Sequence, residues 1–456
     1  MYIFQVIATI GVVFILIYAI SKKLNPPTVL FGIGFIILAI MSFITGTSVM
    51  ENNTVGSKFI DLFEYISVEF STQVTKSGIL IMSVMGFVYY MNHLKASNLL
   101  ALLVAKYLKK LKSPYIAVVV TIILGAILKL FIPSHAGLTT LLMATIYPIL
   151  IQIGVKKKTA VSTIVLCGTY DFGPACPVTN YVVKLDEIAS QTTIIDFFIY
   201  WQLTITLLVI VTIAIFFTIF SIKKDKEDKS VAENMQTQDP EELGIPMFYA
   251  IFPIIPLVLV LVFSKLVVGS IVISVTAANI IGFAISFIIN IIFNNDKKKA
   301  FNETQKFFEG MGKSFSDVIV LIIGASVFTA GLNAIGGITN ILSLLSQSNL
   351  GSIYAIIVSS FITFITGVIT GSGVASTYTI VPLMPGVAKA TGISVLKYVT
   401  PIILAGGLGR AVSPISSAVI IACKMSGVNI MDVVKRNTIP ILSGFVVSVI
   451  TCIIFL

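Results

Sequence analysis

The apolar stretch 365–423 contains two polar interruptions of a kind that a membrane-spanning helix rarely tolerates. The first is Gly371-Ser372-Gly373, and the second runs from Gly406 through Arg410 to Pro414. A helix broken at membrane depth leaves backbone groups unpaired, and hydrocarbon cannot satisfy them unless the break lines a cavity or binds a ligand. Paired broken helices at matching places in two halves of a chain are typical of a secondary transporter's binding site.

The first half of the chain carries a counterpart of this pattern. An ungapped shift of 238 residues aligns Ser134 with Ser372 and Gly168 with Gly406. The breaks recur in the same order and at one spacing, which indicates an internal repeat.

The composition identifies an integral membrane protein. The chain of 456 residues is 57% hydrophobic and 11% charged, whereas a soluble chain carries about 25% charge. Its 4 cysteines lie in apolar segments and are spaced neither for a disulfide framework nor for zinc. The N-terminal apolar run lacks the charged start and the cleavage site of a signal peptide, so we interpret 3–20 as a span.

A span needs roughly 20 apolar residues. We expect an all-α polytopic membrane protein of about ten spans, near 3–20, 26–44, 77–92, 159–184, 195–221, 246–266, 270–292, 314–334, 395–421 and 438–455. Two further apolar blocks, 113–154 and 351–392, are predicted to be re-entrant hairpins with their tips at Ser134 and Ser372. Three amphipathic stretches are expected to lie on the surface: 57–75, 93–112 and 298–313.

These elements group into two inverted repeats, each with a re-entrant hairpin and a broken transmembrane helix at 159–184 or 395–421. The predicted organisation, in chain order, is N-terminal scaffold helices at 1–76, repeat 1 at 77–221, a cytoplasmic linker at 222–245, scaffold helices with a surface helix at 246–313, and repeat 2 at 314–456.

The positions of the basic residues predict the sidedness of the chain. Of 30 lysines and arginines, 22 lie in loops assigned to one side and 6 in loops on the other, which indicates that the first side is cytoplasmic. The two hairpins then enter from opposite sides, so the repeats are inverted, an arrangement that supports alternating access. The net charge of +10 is mostly loop charge, and no nucleic-acid partner is expected.

Arg410 and Asp171 are charged residues within predicted spans. An intramembrane charge costs about 2.5–3.5 kcal/mol on insertion scales and normally faces a cavity or a partner. Because guanidinium binds carboxylate bidentately, Arg410 predicts an anionic substrate, with a structural pair as the alternative. Asp171 is the counterpart in the first repeat and could bind a cation, relay a proton or pair with Arg410. With Thr179 and Asn180 it is the candidate site for a coupling Na⁺ or H⁺.

The hairpin tips supply the other candidates. The helix N-termini that follow them have free N–H groups and partial positive charge, which suit a carboxylate. The candidate substrate-binding residues are Ser134, His135, Ala136, Gly137, Thr139, Ser372, Gly373, Val374, Ser376, Thr377, Arg410 and Ser413. Small residues here could equally serve close helix packing. His135 could be a plain hydrogen-bonding residue, and for Lys129 we favour a structural role.

Enzyme motifs do not occur. The chain has no HExxH, no GxSxG and no P-loop, and its 2 histidines exclude a His-rich metal site. We therefore expect no catalysis, no metal site and no cofactor beyond a coupling ion.

The run 381–444, with LGRAVSP at 408–414, DVVKR at 432–436 and the tip TGSG at 370–373, resembles the DcuC-type anaerobic C4-dicarboxylate carriers. The likeness extends over essentially the whole chain. It implies a member of a larger group of ion transporters in the bacterial inner membrane, usually homodimeric, which move a substrate-bearing part like an elevator.

The resemblance implies succinate, fumarate or malate as substrates, carried by cation-coupled transport or exchange. It also suggests that Ser134, Ser372, Gly373 and Arg410 surround a carboxylate. The chain departs from the expected small residues at His135 and at the bulky, acidic 169–172.

Three other functions stay open on the sequence. The chain could carry another organic anion or an amino acid, with Asp171 binding an ammonium group. It could be a Na⁺/H⁺ antiporter, with Asp171 as the ion site and Arg410 structural. A membrane-embedded sensor is the third possibility. A requirement for an organic anion would separate a carrier from an antiporter.

Overall fold

The computed structural model describes residues 2–22, 24–50, 54–111, 113–226, 239–264, 267–268, 270–336 and 351–454. Within these residues the regular structure is helical and no strand occurs. Half of the predicted linker at 222–245 lies outside the described residues, and so do Lys23, Lys112, Lys229 and Lys265 of the charge count.

The described part of the first half contains thirteen α-helices and two π-helical turns, Val74–Gly78 and Phe197–Leu203. The helices are α1 (Tyr2–Ser21), α2 (Pro26–Thr45), α3 (Lys58–Gln73), α4 (Ile79–His93), α5 (Ala96–Leu108), α6 (Pro114–Lys129), α7 (His135–Thr145), α8 (Tyr147–Gln152), α9 (Lys157–Cys167), α10 (Pro177–Val183), α11 (Asp186–Ala189), α12 (Ile194–Asp196) and α13 (Thr204–Asp225).

The described part of the second half begins with two 3₁₀ segments, Pro240–Leu243 and Met247–Ile254, and contains a π-helical turn at Phe315–Ile319 and a third 3₁₀ segment at Val381–Leu383. Its α-helices are α14 (Ile255–Val262), α15 (Val275–Phe293), α16 (Lys297–Asn302), α17 (Gln305–Ser314), α18 (Val320–Ile335), α19 (Gly351–Thr370), α20 (Gly373–Ile380), α21 (Met384–Thr391), α22 (Val395–Ala411), α23 (Ser417–Ser426) and α24 (Ile430–Ile454).

Two π-helical turns join helices that the sequence predicted to be separate. The turn 74–78 connects α3 to α4, and the turn 315–319 connects α17 to α18, 241 residues later. A π turn accommodates an extra residue without ending the helix. The predicted surface stretches 57–75 and 298–313 therefore belong to continuous helical segments of 36 and 39 residues. Ile319 of one turn packs on Gly78 of the other.

The third predicted surface stretch, 93–112, is largely interior. Its helix α5 has Leu99, Ala101, Ala105 and Leu108 fully buried in the larger of two main apolar clusters. The amphipathic pattern is real, but its apolar face packs on the protein rather than on the bilayer interface.

The described residues contain seven helices that are long and apolar enough to cross a membrane. Several predicted spans are instead assembled from shorter pieces. The span 246–266 begins as a 3₁₀ segment that contains Pro253 and continues as α14, while 159–184 and 395–421 are broken. The count of about ten spans and the opposed orientation of the two repeats stay predictions.

The first broken helix has its break where the sequence predicts it, at 168–176 between α9 and α10. The second break lies later than predicted, at 412–416, because the glycines before it are helical. They serve close packing: an added Cβ would lie 2.4 Å from Thr377 Oγ1 at Gly406, 2.4 Å from the Thr169 carbonyl oxygen at Gly407 and 2.2 Å from the Phe364 carbonyl oxygen at Gly409. Helix α22 thus packs tightly against the second hairpin and the first break.

Candidate functional site

A buried ion cluster lies where the first break meets the end of α22. Arg410 Nη2 donates to Asp171 Oδ1 at 2.7 Å and to the Gly168 carbonyl oxygen at 3.2 Å. Lys129 Nζ, at the end of α6, lies 3.6 Å from the same Asp171 oxygen. All three charged side chains are buried. Of the roles considered for Asp171, the structure shows the pairing with Arg410.

Two cations share one carboxylate in this cluster. A buried charge needs a partner because desolvation is costly, and here one positive charge exceeds the negative charge available. Among the described residues, Asp171 Oδ2 and Arg410 Nε have no hydrogen-bond partner. The cluster therefore has the excess positive charge that a carboxylate ligand would neutralise.

The two basic residues of the first hairpin have structural partners. Lys129 Nζ also donates to the Pro133 carbonyl oxygen, which ties the end of α6 to the turn before the tip. His135 Nε2 lies 2.9 Å from the Val165 carbonyl oxygen of α9, and its ring fills the space above Gly168. Both side chains fix the first hairpin against the first broken helix, in agreement with the structural role favoured for Lys129.

The hairpin tips are built alike. Ser134 caps α7 by accepting from the Gly137 N–H at 3.1 Å, and Ser372 caps α20 by accepting from the Ala375 N–H, also at 3.1 Å. An N-cap satisfies one of the free N–H groups of the first turn. The other amides at each tip remain oriented along the helix axis, where the helix dipole favours an anion.

Both tips line one cavity of about 670 Å³, together with Asp171 and Arg410 of the ion cluster. This volume falls in the range usual for small-molecule sites, about 300–1,000 Å³. The predicted site residues that line it are Ser134, His135, Ala136, Gly137, Asp171, Ser372, Val374 and Arg410. The structure thus brings the two hairpin tips and the intramembrane charges together.

The other predicted substrate residues do not line this cavity. A Cβ on Gly373 would lie 2.7 Å from the Gly406 carbonyl oxygen, so this residue serves packing. Ser376 and Thr377 donate to backbone carbonyls of their own hairpin, and Ser413 Oγ accepts from the Ile415 N–H at 3.3 Å. Thr139 is fully buried. Their proposed contact with substrate stays a prediction.

The predicted coupling-ion residues other than Asp171 lie behind the cavity wall. Thr179 is hydrogen-bonded to Gln202, and Asn180 Nδ2 donates to the carbonyl oxygens of Pro174 and Cys176 at 2.7 and 2.8 Å. Asn180 Oδ1 is buried and has no partner among the described residues.

The remaining wall comes from helices that the sequence did not connect with the site. Tyr89 and Asn92 of α4, Lys313 of α17 and Asp317 of the following π turn all line the cavity. Lys313 ends the stretch 298–313, which the sequence predicts to lie on the surface. The spacing of Lys313 and Asp317, four residues apart next to a predicted span, is a signal that could have placed them on one helix face.

A second cavity of about 430 Å³ lies further along the same helices. Residues 176–178 line the first cavity, whereas Tyr181, one turn later on α10, lines the second. The Tyr181 ring packs on Tyr378 of α20 with centroids 4.6 Å apart, and both rings are buried. This aromatic pair joins α10 to α20 at the second cavity.

A polytopic helical fold, broken helices and two hairpin tips around a charged cavity define a membrane carrier. The chain belongs to the DcuC family, described as "C4-dicarboxylate anaerobic carrier", whose model matches residues 4–456. It is a multi-pass protein of the bacterial inner membrane, not an enzyme.

Curated relatives agree with this assignment. The chain is 30% identical to the "Anaerobic C4-dicarboxylate transporter DcuC" of Escherichia coli strain K12 over 451 residues, which cover 97% of this chain and 95% of that protein. It is 29% identical to the "Probable anaerobic C4-dicarboxylate transporter DcuC" of Vibrio cholerae, with 95% and 94% covered.

One solved structure has a similar fold. The YdaH transporter of Alcanivorax borkumensis matches with a TM-score of 0.56 over 93% of this chain and 97% of that one. At 12% identity this likeness concerns the fold alone.

Proposed function

We propose that the protein is a secondary active transporter of C4-dicarboxylates, with succinate, fumarate and malate as substrates. The observation that carries the proposal is the buried cluster of Arg410, Lys129 and Asp171 at the cavity where both hairpin tips meet. The relatives described above are named as transporters of this substrate class, which supports the same assignment here.

The charge of the cluster favours an anion. With two cations and one carboxylate, the cluster carries a net charge of +1, and the carboxylate of a substrate would neutralise it. Such a pairing is strong in a buried site because few water molecules compete for the charges. Arg410 lines the cavity, so its side chain can reach this ligand.

The tips would position the two ends of the substrate. In our proposal, Arg410 and the tip at Ser372 bind one carboxylate, and the tip at Ser134 binds the other. Helix N-termini suit this role because their free N–H groups and dipole favour negative charge.

Alternating access accounts for the two cavities. The first cavity reaches Asn92 and Lys313, near loops predicted to be cytoplasmic, and the second reaches Glu187 and Asn333, near loops predicted to be external. We propose that the aromatic pair Tyr181–Tyr378 closes the outer path in this conformation. Movement of the hairpins against α4 and α18 would then expose the site to the other side.

Coupling and assembly follow as further proposals. Asp171 is held by two cations, so it is poorly suited to bind Na⁺ alone, which counts against the antiporter alternative. The buried Asn180 Oδ1, together with Thr179, is the better candidate for a coupling Na⁺, since oxygen ligands suit that ion. A coupling H⁺ stays an alternative. We also propose that the carrier works as a homodimer.

The proposal is tested by uptake of labelled succinate into proteoliposomes, with and without succinate inside. We expect saturable uptake by the wild-type protein and stimulation by internal succinate if exchange operates. Arg410→Gln removes a charge-assisted contact worth about 2–4 kcal/mol. We therefore expect a rise in KM of roughly 30- to 1,000-fold, or complete loss of uptake.

The chain offers a matched control in its other buried arginine. Arg436 pairs with Asp225 at 2.5 Å and lines neither cavity. Arg436→Gln is expected to lower stability and to leave the KM for succinate unchanged in the protein that folds. If wild-type protein moves no succinate, fumarate or malate under any imposed gradient, the substrate assignment is wrong.

A further inference from the structure

Helices α4 and α17 form one wall of the cavity and belong neither to the hairpins nor to the broken helices. This wall carries a cation. Lys313 lies at the end of α17, with its Nζ 5.9 Å from the centroid of the Tyr89 ring on α4. Both residues line the 670 Å³ cavity. Lys313 is exposed, whereas Lys129 and Arg410 are buried.

The position of Lys313 is set by tight packing of its helix. A Cβ on Gly310 would lie 2.8 Å from the Met85 carbonyl oxygen, and one on Gly86 would lie 2.7 Å from the Phe307 carbonyl oxygen. The two glycines thus let α17 and α4 approach closely. Lys313 follows Gly310 by less than one turn, so the packing fixes where its flexible side chain starts.

A second carboxylate on the substrate calls for a second cation, and the cavity lining offers one. The buried cluster, with a net charge of +1, neutralises one carboxylate of a substrate. A C4-dicarboxylate brings a second one. Among the described residues that line the cavity, the charged side chains are Asp171, Arg410, Lys313 and Asp317. Once Arg410 is assigned to the first carboxylate, Lys313 is the lining cation left for the second.

We propose that Lys313 binds the second carboxylate of the substrate, beside the tip at Ser134, and thereby makes the site selective for dianions over monoanions. The inference rests on the function proposed above. An ammonium group on a four-carbon stem can follow a carboxylate over several ångströms, which suits a contact made across a cavity.

Asp317 allows a second test of the proposal, in which the expected change in substrate affinity has the opposite sign. It lies four residues after Lys313 and lines the same cavity. Its negative charge repels the carboxylate that Lys313 attracts. Removal of that charge is therefore expected to strengthen binding of a dianion.

The experiment measures the KM for succinate and the inhibition constant of butyrate, a four-carbon monoanion, in proteoliposomes. Lys313→Gln is expected to raise the KM for succinate by about tenfold or more, because a charge-assisted contact is lost. The inhibition constant of butyrate is expected to stay within about twofold, since butyrate needs only the Arg410 end. Asp317→Asn is expected to lower the KM for succinate, and Lys313→Arg to retain it.

Lys306→Gln is the matched control. It removes a lysine from the same helix that is paired with Glu309 at 2.7 Å on an exposed face, and it is expected to leave both constants unchanged. Equal KM values for Lys313→Gln and Lys306→Gln, or a parallel loss of succinate and butyrate affinity in Lys313→Gln, would overturn the inference. Wild-type protein that transports no dicarboxylate would instead overturn the proposed function, and the inference with it.

Discussion

Asp171→Asn removes the only carboxylate that neutralises the two buried cations of the described site. In the wild-type structure, Asp171 Oδ1 lies 2.7 Å from Arg410 Nη2 and 3.6 Å from Lys129 Nζ. Loss of one partner of a buried ion pair costs about 3–5 kcal/mol, because the other charge stays desolvated without compensation. We expect Asp171→Asn to lower the free energy of unfolding by at least this amount.

A double-mutant cycle separates this cause from a general loss of packing. Arg410→Gln in the Asp171→Asn background removes one of the two unpaired cations. The cycle is therefore expected to return a coupling energy of about 1–3 kcal/mol. Succinate supplies a carboxylate to the same cations, so saturating succinate is expected to raise the melting temperature of Asp171→Asn more than that of the wild type.

Thermal unfolding followed by circular dichroism is a suitable assay, because the regular structure of the described residues is helical. A denaturant titration in mixed micelles gives the free energies. Asp186→Asn is the control: Asp186 pairs with Lys76 at 2.7 Å on an exposed surface, where a pair contributes about 0–1 kcal/mol. If Asp171→Asn proves as stable as Asp186→Asn, the buried ion cluster does not contribute to the free energy of unfolding as argued.

Three further predictions concern the walls of the two cavities. Cys176 lines the first cavity. In a variant without the other cysteines, a thiol reagent is therefore expected to modify Cys176, and succinate is expected to slow this reaction. Equal reaction rates with and without succinate would count against binding there. Gly407→Ala places a Cβ 2.4 Å from the Thr169 carbonyl oxygen and is expected to reduce the yield of folded protein on size exclusion. Gly32→Ala is the control, because a Cβ at Gly32 would meet open space. A normal yield of Gly407→Ala would disprove the packing argument. Tyr378→Ala opens the aromatic pair and is expected to let an impermeant reagent reach Cys176 from both sides of the membrane; unchanged one-sided access would contradict its role as a barrier.

The sequence was most informative where a charged or polar residue occurred at corresponding positions of the two repeats. An arginine and an aspartate at corresponding breaks made their pairing one of three possible roles for Asp171, and the structure places them 2.7 Å apart. The repeated Ser-containing tips likewise predicted two helix N-termini, and the structure places both tips at one cavity. Charges and helix breaks are rare in membrane segments, so each carries much information.

The sequence was less informative where one residue type serves two purposes. Glycine both weakens helices and permits close packing, so the run 406–409 indicated a break where the structure has a tightly packed helix. The amphipathic pattern of 298–313 has the same ambiguity. A polar face toward a water-filled cavity looks the same as one toward the membrane interface, which is why Lys313 was not assigned to the site.

The most direct test of the account is an experimental structure of the protein with succinate bound in lipid nanodiscs, determined by electron cryomicroscopy. The account predicts density for succinate in the first cavity, with one carboxylate at Arg410 and the tip at Ser372 and the other toward the tip at Ser134 and Lys313. Density for succinate at a site that excludes Arg410, at concentrations that saturate transport, would contradict it.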